Sequence, residues 1–256
     1  MTERLKDYNE LADELRRLIR NGTYAPGAPL PTVDALVQRY GLSRRPVREA
    51  IKVLVTEGLV NPGRGKRPTT VRDFTRIRIP FSRYSGVLAA GGSKGPWESA
   101  LAAQGLEGEM KTVLVDQRPV GGETADLLGV APGTEVVYRL RHACIADEVQ
   151  QVQQAWYPPE VASQADLDRK TKITGGVYGA LAESGLTPAT ATEVLRGRMP
   201  TREEATLMRT GSGVPLLTVE RITRDPERRV LELLRVTAPA DRIEFVYQDL
   251  PLAGGA

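Results

Sequence analysis

The chain has 256 residues, 41% apolar and 26% charged, which supplies cores for two ordinary domains or one large one and excludes a disordered chain. Its formal charge of +3 is uneven, because residues 1–76 hold fifteen Lys and Arg against nine Asp and Glu while the remainder holds twenty against twenty-three, so only the first part is expected to meet a polyanion. One cysteine, Cys144, and one histidine, His142, exclude an internal disulfide framework and the usual zinc sites, and no run approaches the ~18 apolar residues of a membrane span, so an unexported, cytoplasmic protein with no metal and no cofactor is expected.

In chain order, Leu11, Leu15, Leu18 and Ile19 mark one face of a helix over residues 8–21 that stops at Asn21-Gly22. Thr32 is placed to cap a second helix whose stripe is Val33, Leu36, Val37 and Tyr40, closed by Gly41. Gly41-Leu42 alone separates it from a third helix over Ser43 to Leu54, with Ser43 as N-cap, Pro46 in the first turn, and Val47, Ala50, Ile51 and Leu54 on one face. Arg44, Arg45 and Arg48 crowd its start, where the helix dipole disfavours cations, so an anion outside the chain is expected to meet them. The competing account of Arg48 is an ion pair within its own domain.

Two short helices joined by a tight glycine turn, the second basic at its start, make a helix-turn-helix. Leu59-Val60 then starts a short strand placed to pair with Thr69-Thr70-Val71 across a loop that contains Arg64-Gly65-Lys66-Arg67. Alone, that basic run reads equally as a solvated loop. Directly after a helix-turn-helix it reads as the tip of a wing.

The ordered set Pro26-Gly27, Leu30-Pro31-Thr32, Tyr40-Gly41-Leu42-Ser43-Arg44, Val47-Arg48-Glu49-Ala50, Glu57-Gly58-Leu59-Val60 and Gly63-Arg64-Gly65 resembles the winged helix-turn-helix of GntR-type bacterial transcription regulators over residues 8–71. The resemblance implies that Arg44, Arg45 and Arg48, with Ser43 and Pro46 at the same helix start, meet bases or phosphates at the major groove. It implies a phosphate contact for Thr32 and a minor-groove contact for Arg64, Gly65, Lys66 and Arg67. Two departures stand out: Asp34 replaces an arginine that often touches DNA, and Lys66-Arg67-Pro68 lengthen the wing, so the operator cannot be carried over.

Residues 73–85 are charged, contain a proline and lack a helical stripe, and are expected to link a DNA-binding domain, 1–72, to a second domain, 86–250. Gly86 to Pro96 contains Gly91-Gly92-Ser93-Lys94-Gly95, whose order is wrong for a P-loop and which is expected to be a flexible loop. Strands are predicted at Thr112–Val115, Glu135–Ile145, Val149–Tyr157, Thr192–Arg198, Leu216–Thr223, Val230–Thr237 and Ile243–Tyr247. Helices are predicted at Thr124–Leu128 and Val177–Ala182, and from the capping box Thr201-Arg202-Glu203-Glu204 to Arg209. Hairpins of this kind imply a mainly antiparallel sheet with helices packed on it, so the whole chain is expected to be α+β.

Leu127-Leu128-Gly129-Val130, Pro132-Gly133, Tyr138-Arg139-Leu140-Arg141, Tyr157-Pro158, Pro215-Leu216-Leu217, Leu231-Glu232 and Asp241-Arg242 resemble the UTRA effector domain of the HutC subgroup, a fold shared with chorismate lyase. Arg139 and Arg141, two apart on a strand, leave the same face beside Val137 and Ala143, a costly row unless an anion or carboxylates meet it. The alternative is an exposed face with two solvated arginines. The resemblance implies that Arg139, Arg141, Tyr157 and Glu232 hold a polar or anionic effector. Gly175-Gly176, Ala238 and Asp147-Glu148-Val149 depart from sugar-phosphate-sensing relatives, so the expectation stops at a small anionic metabolite.

An enzyme is not expected: His142 and Cys144 stand parallel at i and i+2, which does not make a nucleophile pair, and Gly211-Ser212-Gly213 lacks a nucleophile-elbow pattern. The expected protein is a homodimeric repressor on a palindromic operator of double-stranded DNA, released or re-oriented by its effector. An architectural DNA-binding protein whose second half only dimerises is the rival.

Overall fold

Asp7 accepts the backbone N–H groups of Asn9 and Glu10 at 2.8 and 3.0 Å and starts α1 (Tyr8–Arg20), which buries Leu11, Leu15, Leu18 and Ile19. The computed structural model describes residues 5–63, 67–72, 76–81 and 94–248; Arg64, Gly65 and Lys66 of the basic tip, and 86–93 of the expected loop, lie outside the described residues. Thr32 accepts the Ala35 N–H at 3.2 Å and caps α2 (Val33–Tyr40), and Gly41, at φ 71°, ends it in the left-handed conformation that a glycine takes without strain. α3 (Arg44–Thr56) lays Val47, Ala50 and Leu54 into the same core as Leu11, Leu15 and Leu36. Each such buried side chain contributes about 1.5–3 kcal/mol of transfer free energy. β1 (Val60–Asn61) and β2 (Thr70–Val71) pair antiparallel as the wing, in the register Val60 to Val71.

Ser43 has the extended backbone of an N-cap, but its side chain makes no capping hydrogen bond. The reason is local. The third helical residue is Pro46, which removes one of the two N–H groups from which a capping hydroxyl can accept.

The chain then runs through β3 (Ile77–Pro80), α4 (Pro96–Ala102), β4 (Glu109–Pro119), α5 (Gly122–Leu128), β5 (Glu135–Ile145) and β6 (Glu148–Tyr157). It continues through α6 (Pro159–Gln164), α7 (Gly176–Glu183), β7 (Thr190–Arg198), α8 (Arg202–Leu207), β8 (Leu216–Arg224), β9 (Val230–Pro239) and β10 (Ile243–Val246). Six strands form one antiparallel sheet in the order β4-β5-β6-β9-β8-β7. One face packs on α4, α6 and α7 through Trp97, Leu101, Val161, Val177 and Leu181; the other packs on α5 through Ala125, Leu128, Tyr138 and Leu233. The α+β architecture with a winged helix-turn-helix and a mainly antiparallel second part is as expected.

Contacts divide the chain into two compact units, Met1–Thr75 with Met199–Pro215, and Arg76–Arg198 with Leu216–Ala256. Three expectations change accordingly. Within the expected linker 73–85, the described residues 76–81 are not plain linker, because Ile77 and Ile79 alternate with exposed Arg78 and Pro80 in β3, which pairs parallel with β10. The last strand is thus outside the large sheet. Residues 86–250 are not one continuous domain, because 199–215 belongs to the first unit; α8 opens with the predicted capping box and stops at Leu207, short of Arg209, which has φ 46°.

If β3 is core rather than linker, Ile77→Ala lowers unfolding free energy by about 2–5 kcal/mol, while Arg78→Ala, on the exposed face, changes it by no more than about 0.5 kcal/mol. Equilibrium denaturation of both variants checks this; equal effects would return the segment to a linker.

Candidate functional site

The start of α3 presents Arg44, Arg45 and Arg48 to solvent, with no acidic residue in its first turn. Arg44 pairs with Asp34 of α2 at 2.6 Å, both side chains more than half exposed, and such a surface pair contributes about 0–1 kcal/mol. Asp34 therefore engages one member of the arginine set. Among the described residues Arg45 and Arg48 have no hydrogen-bond or ion-pair partner, so an ion pair of Arg48 within its own domain is not found there. Thr32 is exposed but its hydroxyl oxygen is engaged as the α2 cap, and Arg67 is exposed beside the wing strands. Two cations at a helix start without a partner make a surface that an incoming polyanion stabilises.

A cavity in the second unit is lined by Arg139 and Arg141 of β5, Arg221 of β8, Glu232 of β9, Tyr178 of α7 and the glycines that start α7. Glu98 of α4 and Lys172 complete its charged wall and pair with each other at 2.7 Å. The two β5 arginines, alike in sequence, are used differently. Arg139 is 1% exposed, and its Nη1 donates to the Leu167 and Arg169 carbonyls, each at 2.7 Å, while Nη2 donates to Thr171 at 3.0 Å. Burial lowers its pKa, and its hydrogen bonds all go to backbone carbonyls of the 167–171 segment. Arg141 stands 4.0 Å from Glu232 through Nη2, and its Nε is buried without a hydrogen-bond partner among the described residues.

Glu232 is 1% exposed and accepts hydrogen bonds from Tyr157 at 2.7 Å and Tyr178 at 3.3 Å. Tyr157 is fully buried behind it and is not part of the cavity lining, so its link to the site is through Glu232. Burial first, and then the neighbouring Glu232 charge, push the Tyr157 phenol well above its ordinary pKa and keep it a donor. Arg221 pairs with Glu193 of β7, and its guanidinium lies 4.5 Å from the centre of the Phe81 ring. Gly175 and Gly176 take φ 73° and 78°, and Gly175 caps α7 with no side-chain hydrogen bond to its first N–H groups. The predicted Arg139, Arg141 and Glu232 thus come together. Glu98, Lys172 and Tyr178 were not singled out, although a polar-tipped tyrosine in the apolar stretch Gly176 to Ala182 was a usable signal.

His142 and Cys144 form no catalytic pair. The Cys144 thiol lies 3.8 Å from the His142 carbonyl oxygen, and burial raises the thiol pKa and lowers the imidazole pKa, leaving both neutral.

The UTRA domain model matches residues 103–244, and the model for bacterial regulatory proteins of the gntR family matches 7–71. An uncharacterised HTH-type transcriptional regulator of Streptomyces coelicolor is 27% identical over 96% of this chain and 94% of its own length. The HTH-type transcriptional repressor NagR of Bacillus subtilis is 24% identical over 94% of this chain and 93% of its own. A crystal structure of a GntR-family transcriptional regulator superposes with a TM-score of 0.60 at 26% identity, covering 96% of this chain and 98% of that one.

The Glu98 carboxyl is pushed up by burial, but hydrogen bonds from Lys172, its own N–H and the Met110 N–H outweigh this and hold it below the ordinary carboxylate range. Its stabilisation is therefore complete above the unfolded pKa, about 4.3, and is lost as pH falls through the lower folded value. Melting temperature followed from pH 7 to pH 3 is expected to fall less steeply on the acid side in Glu98→Gln than in the wild type; parallel curves would show that the pair contributes nothing.

Proposed function

The chain belongs to the GntR family of bacterial regulatory proteins, in the HutC-like branch that carries a UTRA domain, and from that premise we propose that it is a homodimeric repressor released from a palindromic operator by a small anionic metabolite. As a GntR regulator with a UTRA domain it binds DNA and takes a small-molecule effector, and it is not an enzyme. The observation that carries the DNA half is the pair Arg45 and Arg48, exposed and unpartnered among the described residues at the start of the helix that follows the tight turn. One such helix reads too few bases alone, and two copies related by a two-fold axis match the two halves of a palindrome. Repression is the mode named for NagR, which aligns over nearly the whole chain.

DNA reading falls to residues 1–72, and effector sensing and dimerisation to the sheet-bearing unit, with the regulator acting on DNA in the cytoplasm. In the cavity Arg141 is the group for the anion, because its guanidinium makes no hydrogen bond among the described residues and stands 4.0 Å from Glu232, whereas the Nη groups of Arg139 are taken up by carbonyls. Lys172 and the uncapped start of α7 add positive potential on the same wall. Glu232 and Glu98 face the same space and would accept from hydroxyl or amine groups elsewhere on the ligand.

Arg45→Ala and Arg48→Ala are each expected to weaken binding to a duplex selected from a random pool by roughly 10–100-fold at physiological salt, as loss of a bidentate base contact or a phosphate contact would. Unchanged affinity in both would remove α3 as the reading helix. In a thermal-shift screen of anionic metabolites, the compound that raises the wild-type melting temperature should release the duplex and should leave Arg141→Ala unshifted. If no acid shifts the wild type, the second unit only dimerises.

A further inference from the structure

The Gly211-Ser212-Gly213 sequence, which has no catalytic pattern, meets the end of the DNA-reading helix. The last turn of α3 leaves carbonyls to be satisfied. Its own stop serves three: Glu57 N–H donates to Val53 at 2.9 Å, Leu59 N–H to Leu54 at 2.9 Å and Gly58 N–H to Val55 at 3.0 Å, the last two forming a Schellman motif around Gly58 at φ 72°. The fourth, Thr56, accepts from Gly213 N–H at 2.9 Å, so a segment far along the chain completes the cap.

The approach leaves no room for side chains. A Cβ at Gly211 would lie 2.6 Å from the Thr56 oxygen and 2.7 Å from both the Gly58 nitrogen and the Val55 oxygen, and one at Gly213 would lie 2.7 Å from the Thr56 oxygen. These neighbours are backbone and cannot swing aside. Arg72, 6% exposed, ties the same segment from the wing side, donating to the Gly58 carbonyl at 3.4 Å and to the Arg209 carbonyl at 2.6 Å. The strap Met199–Pro215 leaves and re-enters the large sheet between Arg198 of β7 and Leu216 of β8, which are register partners. Those two strands also carry the Glu193–Arg221 pair, whose arginine lines the cavity.

We propose that Gly211, Gly213 and Arg72 are positioning residues for the recognition helix: they lock the strap onto the end of α3, so that displacement of β7 and β8 at the cavity is delivered to the helix that reads DNA. The proposal rests on the reading of the chain as a dimer whose two α3 helices span fixed half-sites.

Its test compares binding of the full chain to the selected duplex and to the same duplex with one base pair inserted between the half-sites, a change that rotates one half-site by about a tenth of a turn. Wild-type protein that fails to discriminate the two duplexes overturns the dimeric reading and this proposal with it. If the wild type discriminates, Gly213→Ala should reduce that discrimination roughly tenfold, the size of an ordinary coupling between sites, while Ser212→Ala, on the exposed side of the strap, keeps it. A second variant, with Met199–Pro215 replaced by an Asn-Gly turn joining Arg198 to Leu216, should lose discrimination equally while the first unit still binds one half-site. Either strap variant melting cooperatively and discriminating as the wild type does would overturn the proposal.

Discussion

A carboxylate at 1% exposure is the constraint around which the sensing unit is arranged. Glu232 is buried near the start of β9, and leaving such a charge unmatched costs several kcal/mol. Donors reach it from three other elements: Tyr157 at the end of β6, Tyr178 in α7, and Arg141 of β5 at longer range. Tyr178 in turn meets Thr223, the register partner of Glu232 on β8. The strand order and the seating of α7 are thus fixed by polar demands as much as by the apolar residues around them. The cavity beside that network is lined by Arg139, Arg141, Arg221 and Glu232, so a ligand there must satisfy charged groups and not merely fill space.

Much of the first unit was readable because its decisions are local. The spacing of Val33, Leu36, Val37 and Tyr40, the cap at Thr32 and the stop at Gly41 each need only neighbouring residues, and α2 runs from Val33 to Tyr40 accordingly. Ser43 misled at the level of atoms, since its position is that of a cap while Pro46 withholds one donor. The alternation Ile77-Arg78-Ile79-Pro80 held the β3 signal, yet a charged, proline-containing stretch reads as a linker until β10 is known to lie beside it. Trp97, Ala100 and Leu101 likewise carry the helical spacing of α4, next to a glycine-rich run that reads as loop.

The site was legible as a face and not as a set of partners. Period-two alternation places Arg139 and Arg141 together, but nothing in a strand pattern says that carbonyls from 167–171 occupy one guanidinium while the other stands 4.0 Å from Glu232 with no hydrogen bond among the described residues. The same holds on α3, where Arg44 is engaged by Asp34 and Arg45 is not. Charge count alone would have weighted these residues equally. A buried or paired arginine contributes to architecture, whereas one without a protein partner retains its capacity for an incoming anion.

The capping of Thr56 by Gly213 bears on how such regulators can be recombined. A DNA-reading module is commonly pictured as a continuous N-terminal stretch that could be exchanged between sensors by a single crossover. Here the module in space is discontinuous in sequence, and a crossover near residue 75 would separate α3 from the strap that closes its last turn. Exchange would succeed only between chains whose two glycines, or equivalents as small, already present the same backbone at that point. The reading head is therefore completed by a segment that, in sequence, lies between two strands of the sensing sheet.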